Sequence, residues 1–331
     1  MSGTADSVLL DVRDLRTHFF TRYGVAKAVD GVSFHVREGE TLGLVGESGC
    51  GKTVTSLSIV RMVPRPAGRI VGGEVRLAGE NLLEMDEKEM QRVRGRKVAM
   101  ILQDPMMSLD PVFSIGEQVA EPIRWHQKVT GSALWEHVVS MLRLVKIPAP
   151  DVRVREFPHQ MSGGMRQRIV GAIGLSCQPR LLIADEPTTS LDVTIQGQFL
   201  QLLSELKEQR GLSMILITHN LGIVAWVCDR VAIMYAGRIV ETAPVVEIFH
   251  RPQHPYTQAL IGSVPRFGQR VRRLTAIEGQ PADVRQLPPG CSFHPRCPHA
   301  KDVCRREYPP ERALGPQHRV SCWLVDGQGH D

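Results

Sequence analysis

The sequence has 331 residues, 42% of them apolar and 23% charged, with a formal net charge of +5. That is chain for roughly two domains at about 150 residues each, with enough apolar residue for a substantial core. No apolar run approaches the ~18 residues of a spanning helix; the best, "SMILITHNLGIVAWVC", is interrupted by His219 and Asn220. Asp6 and Asp11 stand where a secretory signal needs a basic region followed by a continuous apolar one. These features predict a cytosolic protein with reduced thiols.

In chain order, "ETLGLVG" (40–46) predicts a short buried strand stopped by glycine. It runs into "ESGCGKTVTSLSIVRMV", a glycine-rich turn followed by helix-compatible residues. Across 105–160 strand-like runs are scarce, and Leu134, Val138, Met141, Leu142 and Val145 mark an amphipathic helix; a helical subdomain inserted in an α/β core is expected there. "RLLIAD" (180–185) and "LSMILIT" (212–218) predict two more buried strands. Between them Ile195, Phe199, Leu202, Leu203 and Leu206 share one helical face, closed by Gly211. Strands alternating with helices predict a parallel α/β fold. From about 251 the chain turns rich in proline, arginine and cysteine, so the expected division is 1–250 and a small module, 251–331. Within the latter, "RFGQRVRR" (266–273) could meet nucleic acid or anionic lipid, but no aromatic platform interleaves with it and a solvated connector is expected.

"GESGCGKT" (46–53) matches G-x-x-x-x-G-K-[ST] in the strand–loop–helix context that motif requires. Gly46, Gly49 and Gly51 let the backbone, Ser48 and Cys50 included, point N–H groups at phosphate oxygens. Cys50 needs only its backbone for this. Lys52 would reach the β- and γ-phosphates, and Thr53 would offer a hydroxyl to Mg²⁺. In "LLIADEP" (181–187) a strand delivers Asp185 towards the metal, and Glu186 follows as candidate general base.

"QMSGGMRQR" (160–168) resembles the signature of ATP-binding-cassette ATPases, and that family's other motifs follow in order over about residues 8–250. The resemblance implies a P-loop NTPase of the α/β class with ATP and Mg²⁺ as ligands. It makes Gln103 in "ILQDP" the Q-loop glutamine, a magnesium ligand and part of the hydrolytic site. It also makes "SLD" (190–192) the D-loop, His219 the switch histidine and Tyr23 the residue that stacks on adenine. Ser162, Gly163 and Gly164 would face the γ-phosphate held by a partner cassette. The signature departs from LSGGQ by carrying Met161 and Met165. With "DEPTTSLDVTIQ" and "HPYTQAL" (254–260), it is similar to the ATP-binding subunits of dipeptide and oligopeptide importers. This implies a paralogous cassette partner, with a homodimer as the alternative, two membrane-spanning permease subunits, and an extracellular solute-binding protein. The place would be the cytoplasmic face of the cell membrane. The alternatives are a nickel or other small-solute importer of the same group, and a soluble cassette ATPase acting on nucleic acid or ribosomes. One cassette without a long coiled-coil insertion disfavours the last, and no nucleic-acid partner is expected.

Cys291, Cys297, Cys304 and Cys322 gather four of the chain's seven cysteines near its end, in the pattern C-x5-C-x6-C-x17-C. Four thiolates would complete one metal centre, and the spacing leaves zinc and iron–sulfur open, with His294 and His299 as substitute ligands. The importer resemblance favours a [4Fe–4S] cluster over Zn²⁺. The expected role is to staple a segment too small to build a core.

Overall fold

The computed structural model describes residues 7–104, 108–188, 192–264 and 277–325. Two long strands, β1 (Val8–Thr21) and β2 (Gly24–Arg37), open the chain. β3 (Thr41–Val45), buried throughout, runs through the glycine-rich turn into α1 (Lys52–Ile59). β4 (Gly68–Leu77) and β5 (Glu80–Asn81) follow. α2 (Glu87–Val93) starts at a capping box between Asp86 and Glu89 and precedes β6 (Val98–Ile101). The middle is helical: α3 (Ile115–Gln127), α4 (Gly131–Leu144), α5 (Pro150–Arg153) and α6 (Gly163–Leu175). β7 (Leu181–Asp185), α7 (Val193–Arg210) and β8 (Ser213–Ile217) lie where periodicity predicts them. α8 (Leu221–Val227), β9 (Arg230–Tyr235), β10 (Arg238–Pro244), α9 (Val245–His250) and α10 (Pro255–Gly262) come next. Two short strands, β11 (Arg312–Ala313) and β12 (Arg319–Val320), close the described chain. Among the described residues no helix is long and apolar enough to cross a membrane. The arginine run 266–273 lies outside the described residues.

Two units are compact in themselves. The first comprises Met1–Leu9, Arg37–Glu40 and Glu84–Ile217. Here β6, β7 and β8 pair in parallel, Val98 opposite Leu181 and Leu181 opposite Ser213. Every residue of β7 and β8 is buried, which is why both read as unbroken apolar runs rather than alternating ones. α4 buries Leu134, Val138, Met141 and Leu142 on one face, each side chain contributing about 1.5–3 kcal/mol of transfer free energy. α7 starts at Asp192, whose carboxylate accepts the Ile195 N–H at 3.0 Å, and stops at Gly211 in the left-handed conformation (φ 64°).

The second unit comprises Leu10–Val36, Thr41–Leu83 and Thr218–Asp331. One of its sheets is antiparallel, in the order β2-β1-β4-β5. In β1 the register against β4 shifts between Arg13 and Arg16, around Asp14 at φ 46°. Its other strands run β11-β12-β10-β9-β3. β3 and β9 are parallel there, and the remaining pairs antiparallel. The C-terminal segment therefore adds two strands to the free edge of β10.

Candidate nucleotide site

In the second unit the phosphate loop leaves the buried end of β3 and curls into α1. A Cβ on Gly46 would lie 2.1 Å from the Met234 carbonyl oxygen, and one on Gly51 2.2 Å from that of Ala28. Gly51 also sits at φ 110°, so the loop cannot take this path with side chains at those positions. No side chain caps the first turn of α1, so its N–H groups are not claimed from that side. Lys52 is buried, and its Nζ donates to the carbonyls of Gly46 (2.8 Å) and Glu47 (3.0 Å). The ammonium thus bridges the loop it belongs to. Ser48, Gly49 and Thr53 are exposed, whereas Cys50 is buried and desolvation raises its thiol pKa. The Glu47 N–H donates to the Tyr256 hydroxyl at 2.8 Å, a contact that fixes the loop's entry. "HPYTQAL" marks Tyr256 in the sequence, but nothing local there connects it to residue 47.

Tyr23 sits at the β1–β2 turn, 69% exposed, with the Arg22 guanidinium 4.7 Å from its ring centre. Phe20, on the same strand end, is also exposed and lies under Arg69. His219 is exposed just before Asn220, whose side chain caps α8 by accepting from the Gly222 N–H at 2.9 Å.

In the first unit, Asp185 ends β7 as a buried carboxylate and Glu186 follows, half-buried. Glu186 takes φ 45°, a conformation that costs a non-glycine residue on the order of 1–3 kcal/mol. Its N–H is tied to the Ile217 carbonyl at 2.9 Å. Gln103, just past β6, donates from Nε2 to Glu186 Oε2 at 2.9 Å. The structure thus brings these two predicted residues into contact. Ser162 caps α6, its hydroxyl accepting the Met165 N–H at 3.3 Å, and Met161 is buried beneath the turn. Gly163 faces open space, while a Cβ on Gly164 would meet Ile195 Cγ2 at 2.6 Å. Of the D-loop, Ser190 and Leu191 lie outside the described residues, and Asp192 is the cap of α7.

Thr53 in the second unit carries a hydroxyl and Asp185 in the first a carboxylate, each by itself a hard oxygen donor of the kind magnesium takes.

The cysteine cluster requires a correction. Among the described residues no group of three or more His, Cys, Asp or Glu side chains is placed to hold a metal ion, so neither a [4Fe–4S] cluster nor zinc is supported. Cys291, Cys297, Cys304 and Cys322 are free thiols that, with His294 and His299, line one small enclosed cavity. Burial, the largest cause, pushes the Cys291 thiol up to about 11. His294 Nδ1 is already 2.9 Å from the Cys291 carbonyl oxygen. What holds this segment is packing. Phe293, 2% exposed, sets its ring 5.3 Å from both Tyr235 and Tyr256, and β12 pairs with β10. Spacing shows which cysteines are near one another, not that aromatic packing already supplies the core.

Comparison with known proteins places the chain. Residues 29–189 match the ABC transporter family profile, and residues 240–304 the profile described as the C-terminal region of oligopeptide/dipeptide transporters. A probable peptide ABC transporter ATP-binding protein of Sinorhizobium fredii is 53% identical, over 97% of this chain and 96% of its own. The dipeptide transport ATP-binding protein DppD of Bacillus subtilis is 48% identical, over 96% of this chain and 95% of its own. A solved ATP-binding cassette, a dimer in a post-hydrolysis state with ADP and Pi, is similar at TM-score 0.64 and 22% identity. That likeness covers 71% of this chain and 98% of the cassette, and it shows the fold. The chain belongs to the ATP-binding-cassette transporter ATPases, in the group that carries the oligopeptide/dipeptide transporter C-terminal region.

Proposed function

We propose that the chain is the ATP-hydrolysing subunit of an importer for dipeptides or oligopeptides. The observation that carries this is near-full-length identity, 48–53%, to ATP-binding proteins of peptide and dipeptide transport, with the phosphate loop intact. Lys52 and the backbone of Gly46, Ser48, Gly49, Cys50 and Gly51 bind the phosphates of ATP, and Tyr23 stacks on its base. Thr53 and Asp185, with Gln103, would hold Mg²⁺, which would supply charge neutralisation for the phosphates of ATP. Glu186 takes the proton of the attacking water. The Gln103 amide, by donating to Glu186, orients that carboxylate. His219 stabilises the γ-phosphate as the bond breaks.

The N-terminus of α6, exposed at Ser162 and Gly163 and half-buried at Gly164, serves the ATP of a partner cassette, a paralogous subunit in our reading. The chain divides functionally into a nucleotide-binding domain, 1–250, and a C-terminal extension, 251–331. The helices of 105–160 form the inserted subdomain, which meets two permease subunits at the cytoplasmic face of the membrane. An extracellular binding protein delivers solute to those permease subunits from the opposite face. Affinity purification from membranes tests the assembly. Two integral membrane proteins and a second cassette subunit are expected, and recovery with ribosomes or nucleic acid instead would refute it.

A further inference from the structure

Glu47 is the one carboxylate of the phosphate loop, an odd charge to place beside a polyanion. Both of its oxygens accept from the guanidinium of Arg296, Nη1 to Oε2 at 2.6 Å and Nη2 to Oε1 at 3.0 Å. This is a two-pronged, charge-assisted pair. The Arg296 side chain is 3% exposed, and its other donors go to the carbonyls of Glu278 (2.9 Å) and Ile277 (3.3 Å). The guanidinium carbon also lies 5.9 Å from the Tyr235 ring centre and 5.8 Å from that of Phe293. Arg296 sits between Cys291 and Cys297 in sequence terms only one turn from Phe293, whose burial among Tyr235, Tyr256 and His254 fixes where it stands. With the Glu47 N–H held by Tyr256, both ends of Glu47 are gripped by residues more than 200 positions further along the chain.

A surface ion pair contributes little, but this one is mostly out of solvent and its acid belongs to an anion-binding loop. Without its counter-charge the Glu47 carboxylate would oppose the phosphates that the surrounding N–H groups attract. We propose that Arg296 is a positioning residue for ATP: it cancels the charge of Glu47, so that the phosphate loop offers its N–H groups without an opposing carboxylate. The C-terminal segment thereby sets the nucleotide affinity of the loop. This rests on residues 46–53 being the nucleotide loop, and the role of Glu47 in it is electrostatic rather than catalytic.

The test is equilibrium ATP binding to the full-length chain, paired with turnover in the purified transporter. Arg296→Met should weaken ATP binding on the order of ten-fold, equivalent to about 1.4 kcal/mol, with turnover at saturating ATP within about two-fold of wild type. Adding Glu47→Gln to that variant should restore affinity to within about two-fold, because the charge that needed cancelling is gone. A merely structural pair would not be repaired by losing its second half. Wild-type affinity in Arg296→Met, or a double variant as weak as the single one, overturns the proposal. Should Arg296→Met fail to fold, Glu47→Gln alone decides: it should bind ATP at least as tightly as wild type, and a ten-fold loss refutes the electrostatic role. Wild type that binds no ATP would instead overturn the assignment of the loop itself.

Discussion

Glu186→Gln separates chemistry from folding because the two effects differ in size. The substitution keeps the shape of the side chain and leaves an amide oxygen to accept from Gln103, now 2.9 Å from Glu186 Oε2. The φ of 45° is as costly for glutamine as for glutamate, so the backbone contributes no difference. What folding loses is the extra strength of a charge-assisted hydrogen bond at a half-buried site, about 1 kcal/mol or less. On the proposed role of Glu186, catalysis loses its general base altogether, worth ~10²–10⁴ in rate, or roughly 3–5 kcal/mol of barrier. Phosphate release by the purified transporter should therefore fall at least about 100-fold. The melting temperature should move by only a few degrees, and ATP binding should persist. Sizing in ATP should show the closed pair of cassettes accumulating. Turnover within ten-fold of wild type would refute Glu186 as the base. An equal loss of binding would show that it acts on the phosphate loop instead.

Three further outcomes follow from the geometry. Gly51→Ala puts a Cβ 2.2 Å from the Ala28 carbonyl oxygen at φ 110°, so thermal unfolding should report about 2 kcal/mol or more of destabilisation together with lost ATP binding. Ser162→Arg should impair hydrolysis at the partner's phosphate loop and leave ATP binding at Lys52 intact, measured by site-resolved nucleotide labelling; loss of binding at its own loop would contradict the composite site. Burial holds His254 neutral, its pKa pushed down to about 4, with Nδ1 accepting the Tyr256 N–H at 3.0 Å. An unfolded histidine binds protons below about 6.5, so stability should fall as pH drops from 6.5 towards 4, by about 2 kcal/mol between pH 7 and 5. His254→Asn, which still caps the helix, should flatten that loss in denaturant melts. Burial alone would raise the Glu241 pKa, but hydrogen bonds from His318 and from the His254 and Gln253 N–H groups lower it. Its contribution is likewise lost only as pH falls.

The parts legible in the sequence are those whose cause is local. A phosphate loop needs glycines at fixed offsets, so "GESGCGKT" places β3, the loop and α1 at once. The strands β7 and β8 are buried on both faces and α7 carries its own cap and stop, so each announces itself. Long-range causes are silent. β1 and β2 are 14 residues each, yet the register shift around Asp14 breaks the alternation that would have marked β1. β11 and β12 are two residues long and exist because β12 pairs with β10, at Val320 opposite Glu241. The cysteine spacing suggested a metal staple because Phe293 gives no sign in the sequence of packing against Tyr235 and Tyr256. Likewise nothing near Glu47 points to Arg296, 249 residues away.

The central claim is that this chain powers peptide uptake, and labelled-dipeptide uptake tests it in cells whose own copy carries Lys52→Ala. Lys52 is buried at the head of α1 with its ammonium already inside the loop, so its removal should abolish the subunit's work without altering the assembly. Uptake should drop to background, return with the wild-type chain, and leave nickel uptake unchanged. Peptide uptake that continues at the wild-type rate would contradict the account.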